Sequence, residues 1–234
     1  MRRLFIILGF LLGFVFCARA QYADSTLVDT SFLHQVTIVP SGYLSLNAGT
    51  GTQVSGFNGT GYQTGLCAGQ GTYFSISLSK PIISHLGFAL LVGYGINKAD
   101  AQSYCQSFEQ HIASESIINP GSGNFSELAF MAGPFLTLPV HRLSLDCRLL
   151  FGTMDWSPPS ISYIAVDNKG NETPEQAQGK DLQSYVFGIG AGARLRIFRE
   201  WTLIANADYI HSFSSSTNPS LGFGTLTAGI AYEY

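Results

Sequence analysis

Four charged residues in the second half of the chain occur in two close pairs, Asp146 with Arg148 and Arg194 with Arg196. Residues two positions apart lie on the same face of an extended strand, so each pair points in one direction. Carboxylates and guanidinium groups that meet in a closed interior bind each other as salt bridges, or they line a path for protons or ions. Because paired buried charges commonly serve to satisfy one another, we expect a structural cluster. A proton or ion path is the alternative.

A histidine and two serines near the end of the chain, His211, Ser212 and Ser214, are of the types that perform nucleophilic catalysis. A histidine can take the proton from a serine hydroxyl and so activate it to attack an ester, usually with an acidic residue orienting the ring. No well-placed acidic residue is evident around this trio. We therefore expect a polar loop and no catalytic residue, with an esterase as the alternative.

Metal and cofactor sites are not expected. The other histidines are scattered along the chain, at His34, His85, His111 and His141. The segment 167–172 superficially resembles a calcium loop, but Gln178 stands at the twelfth position, which needs a carboxylate. We interpret this segment as the tip of a turn.

Strands are the elements that would position these residues. Eight segments alternate with the period of two that is typical of a strand with different surroundings on its two faces. They are 42–49, 65–78, 86–97, 125–138, 142–153, 183–197, 201–213 and 223–234. Their lengths suit strands that cross a membrane at a tilt, which takes about 9 to 11 residues.

The segment 183–197 shows the alternation most clearly. Its odd-numbered residues from Tyr185 to Ile197 are all apolar, whereas its even-numbered residues include three glycines, Arg194 and Arg196. We expect the apolar set to face outward, toward lipid, and the other set to face inward. A soluble lipocalin-like barrel would have the opposite arrangement.

The charged residues of these segments provide a partly independent check on that orientation. Seven of them fall on the inward face: Glu127, Asp146, Arg148, Arg194, Arg196, Asp208 and Glu233. An arginine that faced lipid near the middle of a membrane would cost about 2 to 4 kcal/mol. Glu127 and Asp208 are therefore predicted to join the two charged pairs in a salt-bridged plug inside the barrel. The inward glycines leave room for a competing prediction, a narrow water path.

Two positions interrupt the pattern. Gln70 falls on the outward face, and we expect a bulge near it, permitted by Gly69 and Gly71. Pro134 cannot donate to a strand ladder, so we expect a kink or bulge at Gly133 and Pro134.

The connections alternate strictly between long and short. The segments 50–64, 98–124, 154–182 and 214–222 are long, and the segments 79–85, 139–141 and 198–200 are short. Outer-membrane barrels have short periplasmic turns and long external loops, with both termini in the periplasm. The sequence thus predicts an all-β fold, an eight-stranded antiparallel up-and-down transmembrane β-barrel over residues 41–234.

The start of the chain has the features of a secretory signal peptide. Two arginines precede an apolar run, and Ala18-Arg19-Ala20 provides a cleavage site, so we expect residues 1–20 to be removed and 21–40 to form a periplasmic tail. The remaining chain would carry a net charge of −6, and such an acidic balance makes nucleic acid an improbable partner. Cys67 and Cys105 would approach each other near the outer rim, where they form a disulfide or remain free thiols. Cys147 falls on the outward face.

The last segment ends in a polar residue, Gly229, apolar Tyr232 and aromatic Tyr234 at fixed spacing. This pattern resembles the carboxy-terminal sorting signal of bacterial outer-membrane β-barrels. With the alternation and the topology, it makes nearly the whole mature chain similar to the small OmpA/OmpX-like family of outer-membrane β-barrels, also grouped with porin-family barrels. The resemblance implies the bacterial outer membrane as location, lipid and lipopolysaccharide as surroundings, and the barrel-assembly machinery as a partner of the last strand. It specifies the architecture strongly and the activity hardly at all.

His211 and its neighbours also invite comparison with outer-membrane lipid A deacylases. Those enzymes have serine two residues after the histidine and asparagine directly after that serine, whereas Phe213 and Ser214 occupy these positions here. We therefore expect a barrel that is not an enzyme and that presents the loops 98–124 and 154–182 to external ligands or supports envelope integrity. A narrow channel is the first alternative, and a deacylase-like enzyme is the second.

Overall fold

The computed structural model describes eleven stretches of the chain. They are residues 42–55, 68–83, 85–99, 116–118, 121, 123–140, 142–157, 159–166, 169–178, 181–213 and 220–234. The predicted signal peptide and tail lie outside them. Within the described residues, no helix is long and apolar enough to cross a membrane.

The described residues form eleven strands, all within one compact unit, Val39–Glu233. In chain order they are β1 (Tyr43–Ser55), β2 (Ala68–Ile83), β3 (Leu86–Ala99), β4 (Ser116–Ile118), β5 (Asn124–Val140), β6 (Leu143–Ser157), β7 (Ser160–Val166), β8 (Glu172–Gln178), β9 (Leu182–Phe198), β10 (Trp201–Ser212) and β11 (Gly222–Glu233).

Eight of these strands close into an antiparallel barrel in the order β1-β11-β10-β9-β6-β5-β3-β2. The first and last strands complete the ring, since Tyr43 pairs with Glu233 on one side and with Ser79 on the other. Each of the eight predicted segments corresponds to one barrel strand. The predicted fold class is confirmed.

The predicted orientation of the side chains is confirmed as well. In β11, Leu226 is 65% exposed and Ile230 is 49% exposed. Thr225 and Thr227, the residues on either side of Leu226, are buried. In β9, Tyr185, Ile189, Leu195 and Ile197 of the odd-numbered apolar set are exposed, whereas Val186 and Arg194 are buried. The outer surface of the barrel is therefore apolar, and polar and charged residues occupy its interior.

Three short connections lie at one end of the barrel, which we call the short-turn end. They join β2 to β3, β5 to β6 and β9 to β10. The long connections lie at the opposite end, and two of them hold strands that the sequence did not predict. β4 pairs with β7, and β7 pairs with β8, so the connections 98–124 and 154–182 share a three-stranded sheet. The predicted turn tip lies between β7 and β8, where Gly170 has a φ of 80°.

The two predicted interruptions have different outcomes. The β2–β3 register shifts between Ala68 and Gly71, so the bulge expected near Gln70 is confirmed. The β5–β6 register is the same on both sides of Pro134, so a bulge there is wrong. The ladder instead lacks pairs for Gly133 and Pro134 on the β6 side, while Pro134 still pairs with Phe88 of β3. A proline has no N–H to donate, and this strand accommodates it by leaving a gap in one ladder.

Candidate functional site

Arg194 is the centre of a buried network near the short-turn end of the barrel interior. Its Nε donates to Asp146 Oδ2 at 2.7 Å, and its Nη2 donates to Asp146 Oδ1 at 3.2 Å. Its Nη1 donates to Glu233 Oε1 at 3.1 Å, and Nη2 also donates to Thr137 Oγ1 at 3.0 Å. One side chain from β9 thus binds residues of β5, β6 and β11.

Tyr43 extends this network from the opposite wall. Its hydroxyl donates to Asp146 Oδ2 at 3.2 Å, and the Arg194 guanidinium lies 4.2 Å from the centre of its ring. A cation over an aromatic face is attracted by the ring quadrupole, most strongly where water is excluded. Because β1 and β6 are four strands apart in the ring, the contact spans the barrel.

Arg196 lies at the edge of the network and not inside it. It occupies the inward position of β9 nearest the short-turn end, and its side chain is 56% exposed. Its Nη2 binds Glu233 Oε2, so Glu233 joins Arg194 to Arg196. The network therefore opens to the outside at the short-turn end through one exposed guanidinium.

A second salt bridge joins Arg148 of β6 to Asp208 of β10. Nε donates to Oδ1 at 2.7 Å and Nη2 donates to Oδ2 at 2.6 Å, which is the bidentate geometry that makes arginine–carboxylate pairs strong. The pair crosses over β9 at Gly190, which lies directly between both residues in the strand register. A Cβ atom at position 190 would lie 1.9 Å from Asp208 Oδ1, so only glycine leaves room for this bridge.

Glu127 makes none of these ion pairs. It is buried beside Gly95 and Trp156, its partners in the strand register, and neither carboxylate oxygen has a hydrogen-bond partner among the described residues. The sequence correctly indicates that Glu127 faces inward, but its place in the salt-bridged plug is not seen. The ion pairs lie closer to the short-turn end, beyond its reach.

The inward glycines do not leave an open path where the structure describes their surroundings. A Cβ at Gly93 would lie 1.8 Å from the Tyr73 hydroxyl, and a Cβ at Gly95 would lie 2.1 Å from Glu127 Oε1. At these positions, as at Gly190, a large side chain from another strand occupies the space beside the glycine. The competing prediction of a narrow water path therefore loses its support at these positions.

His211 and Ser212 point to opposite sides of the barrel wall. His211 contacts the outward-facing rings of Phe187, 5.3 Å between centres, and Tyr209, 6.1 Å between centres. Ser212 is fully buried inside, and its hydroxyl accepts a hydrogen bond from the Leu221 amide at 2.7 Å. These two residues cannot act as a catalytic pair in this arrangement. Ser214 lies outside the described residues.

The remaining candidate residues are the cysteines and the residues of the carboxy-terminal pattern. Cys67 and Cys105 lie outside the described residues, and Cys147 is a free, exposed cysteine on the outer surface. Gly229 and Tyr232 lie in β11, where the Tyr232 ring contacts Trp201 edge-on at 5.5 Å, and Tyr234 follows the end of that strand. Among the described residues, no group of three or more His, Cys, Asp or Glu side chains could hold a metal ion.

Three members of the network are not evident from the sequence. The alternation in the last strand indicates that Glu233 faces inward, but not that it joins the network, and Tyr43 and Thr137 carry no charge that would mark them. The inward position of each could be read from the alternation of its strand. Their convergence on Arg194 depends on the register and stagger of five strands, which the sequence does not specify.

Comparisons with known proteins find similarity in fold. No family model and no curated protein matches this chain. Among solved structures, Ail of Yersinia pestis, crystallised with the heparin analogue sucrose octasulfate, shares 15% identity, covering 82% of this chain and 99% of its own with a TM-score of 0.42. Neisserial surface protein A shares 15% identity, covering 82% and 97% with a TM-score of 0.46. A major outer membrane protein of Thermus thermophilus shares 13% identity, covering 83% and 100% with a TM-score of 0.44.

Proposed function

We propose that this chain is a non-enzymatic outer-membrane β-barrel with a closed interior, which presents its long connections to partners outside the cell. The short-turn end faces the periplasm in this proposal, together with both termini. The observation that carries it is an apolar barrel wall around an interior that contains buried ion pairs, with two long connections joined into one sheet.

The apolar wall supports a position in lipid. Large apolar side chains are exposed on every barrel strand with described side chains, and in water such a continuous surface would drive association. Aromatic side chains lie toward both ends of the wall. Trp201 and Tyr232 lie at the short-turn end, and Phe187 and Phe213, whose rings are 5.5 Å apart, lie toward the other. Aromatic girdles at the two interfaces are typical of outer-membrane barrels.

The charged interior supports a closed barrel. An eight-stranded barrel is about filled by its own side chains. Here two salt bridges lie at successive levels of the interior: Arg194–Asp146 joins the adjacent strands β9 and β6, and Arg148–Asp208 passes over β9 from β6 to β10. Tyr43 contacts the first of them from the opposite wall. Moving a hydrated ion through these levels would require breaking buried, hydrogen-bonded pairs.

The sheet formed by β4, β7 and β8 supports recognition through the loops. The Gly121 amide donates to the Ser162 carbonyl at 2.8 Å, so the chain between β4 and β5 remains bound to β7. The Tyr163 hydroxyl donates to Glu175 Oε2 at 3.0 Å and links β7 to β8. β5 and β9 have 17 residues each, more than the 9 to 11 or so needed to cross a membrane, so the barrel would raise this sheet above the lipid.

The net charge of the long connections indicates which class of partner they favour. The connections 98–124 and 154–182 contain eight acidic and three basic residues, so they carry a net charge of −5. Such a surface repels sulfated sugars and the phosphates of lipopolysaccharide, and it favours neutral or basic protein surfaces. The expected ligand is therefore unlike the heparin analogue in the Ail crystal.

A loop replacement tests this function. Residues 160–178 would be replaced by a short Asn-Gly turn, which removes β7 and β8 and leaves the barrel strands intact. Heat-modifiable gel mobility reports whether the barrel still assembles. We expect an assembled barrel whose cells or vesicles lose binding to cationic protein surfaces. Retention of all binding by the assembled variant would contradict the role of these loops.

A narrow channel is the second candidate, favoured by one observation. Several buried polar groups in the interior lack hydrogen-bond partners among the described residues, including Glu127, Tyr73 and Asn97. Planar-bilayer conductance separates the two functions. A closed barrel should show no steady current in the wild type, and the double variant Arg148→Ala with Asp208→Ala should conduct. A steady wild-type current would favour the channel.

A further inference from the structure

Arg199 adopts a backbone conformation that its residue type disfavours. Its φ is 43°, and it is the one non-glycine residue with a positive φ among those described. It begins the two-residue turn between β9 and β10, where Asn or Gly would fit with less strain. Non-glycine residues held in this region concentrate at functional sites. The position therefore indicates a use for the arginine side chain.

The Arg199 guanidinium lies at the outer surface of the barrel. It is 5.2 Å from the centre of the Phe198 ring, which is itself exposed. The register shift between Trp201 and Thr202 pairs Phe198 with Trp201, and paired residues share one face of a sheet. Phe198 thus joins Trp201 and Tyr232 in an outward-facing aromatic group, with the charge of Arg199 above it.

Arg142 lies in the neighbouring turn between β5 and β6. Its carbonyl accepts a hydrogen bond from the Arg196 amide at 3.0 Å, so this turn is bound to the end of β9, three residues before Arg199. Arg142 and Arg199 are both exposed, and neither is in an ion pair with a described residue. Arg196 is already paired with Glu233, and Glu200 is the exposed acidic residue of the Arg199 turn.

We propose that Arg142 and Arg199 bind the phosphate group of an anionic phospholipid at the short-turn end of the barrel. Guanidinium groups match the geometry of phosphate oxygens, and aromatic rings such as Phe198 and Trp201 favour the boundary between headgroups and acyl chains. The long connections carry an acidic excess, so this preference belongs to one end of the barrel only. The inference concerns the barrel wall and does not depend on what the loops bind.

Tryptophan quenching measures this preference directly. The chain has two tryptophans, and Trp156 is buried inside the barrel, so a Trp156→Phe background leaves Trp201 as a reporter beside the proposed site. The full barrel would be refolded into vesicles that contain brominated phosphatidylglycerol or brominated phosphatidylcholine. We expect stronger quenching of Trp201 by the anionic lipid. The ratio of phosphatidylglycerol binding to phosphatidylcholine binding should fall about five-fold for each arginine that is replaced by glutamine.

Two controls keep the test decisive. Lys98→Gln with Lys169→Gln removes the same charge at the opposite end and should leave the ratio unchanged. Glycine suits the positive φ, so the Arg199→Gly variant should fold at least as well as the parent. It should still show a weaker preference for the anionic lipid than the parent does. Equal quenching by both lipids in the parent protein would overturn the proposal. So would an unchanged ratio in Arg142→Gln/Arg199→Gln with its heat-modifiable mobility intact.

Discussion

Replacing Arg194 with methionine tests whether the interior charges stabilise the barrel as a connected network. Methionine has a similar length and no charge, so the change removes the ionic contacts while it keeps much of the packing. Among the described residues, Asp146 would keep the Tyr43 hydroxyl as its side-chain partner, whereas Glu233 would keep Arg196. The principal consequence is one buried carboxylate that has lost its cation.

The structure sets the expected size of the effect. Arg194 makes four side-chain hydrogen bonds, three of them to carboxylates, and its side chain is 3% exposed. Removing one partner of a buried ion pair costs about 3 to 5 kcal/mol in free energy of unfolding. Arg196→Met is the matched control, because its side chain is 56% exposed and solvent screens its pairing with Glu233. That variant should cost less than about 1 kcal/mol.

Urea unfolding of the refolded barrel from lipid vesicles, followed by tryptophan fluorescence, measures both free energies. A third variant, Arg194→Met with Asp146→Leu, removes both partners of the pair. It should recover most of the loss, because apolar replacement of a whole buried pair is often neutral or stabilising. The reasoning is refuted if Arg194→Met is no more destabilising than Arg196→Met, or if the double variant is less stable than Arg194→Met alone.

Three further predictions concern single positions. Gly190→Ala should destabilise the barrel by about 3 kcal/mol or more in the same urea assay, because a Cβ there displaces the salt bridge that crosses it; a loss below about 1 kcal/mol would contradict the geometry. Glu127→Gln should leave stability unchanged or raise it, since it removes a buried carboxylate that has no partner among the described residues; a loss above about 1 kcal/mol would indicate an ion pair instead. His211→Ala should leave the fatty-acid content of lipopolysaccharide unchanged in cells that express the protein, because His211 and Ser212 face opposite sides of the wall. A change in that content would support the deacylase-like enzyme.

The alternation of residue types was sufficient to predict the barrel. Each strand such as β9 or β11 has lipid-compatible residues at every second position, and a one-residue error would bury its apolar face, so the orientation is strongly specified. The charged residues agree with that orientation, because Arg148 and Arg194 would be costly on the lipid-facing surface and are stable only in the barrel interior. Strand number and closure then followed from the count of segments and the alternation of long and short connections.

The features that the sequence did not predict depend on contacts between distant segments. β4 has three residues and is a strand only because β7 lies beside it. Glu127 and Asp208 both point inward and both are acidic. Only Asp208 has an arginine, Arg148, on the other side of Gly190. An arginine in a turn gives no sign of a positive φ in the sequence, and this conformation is visible only in the folded β9–β10 hairpin.

Accessibility of Cys147 tests most directly the central claim that the apolar wall lies in lipid. The thiol is exposed on the outer surface of the barrel, and Cys67→Ser with Cys105→Ser would leave it as the only thiol after residue 20. The account predicts that a charged, water-soluble maleimide does not label Cys147 in outer-membrane preparations, while a membrane-permeant maleimide does. Both reagents should label the urea-unfolded protein. Rapid labelling of the folded protein by the charged reagent would mean that water covers this wall, and it would contradict the proposed membrane barrel.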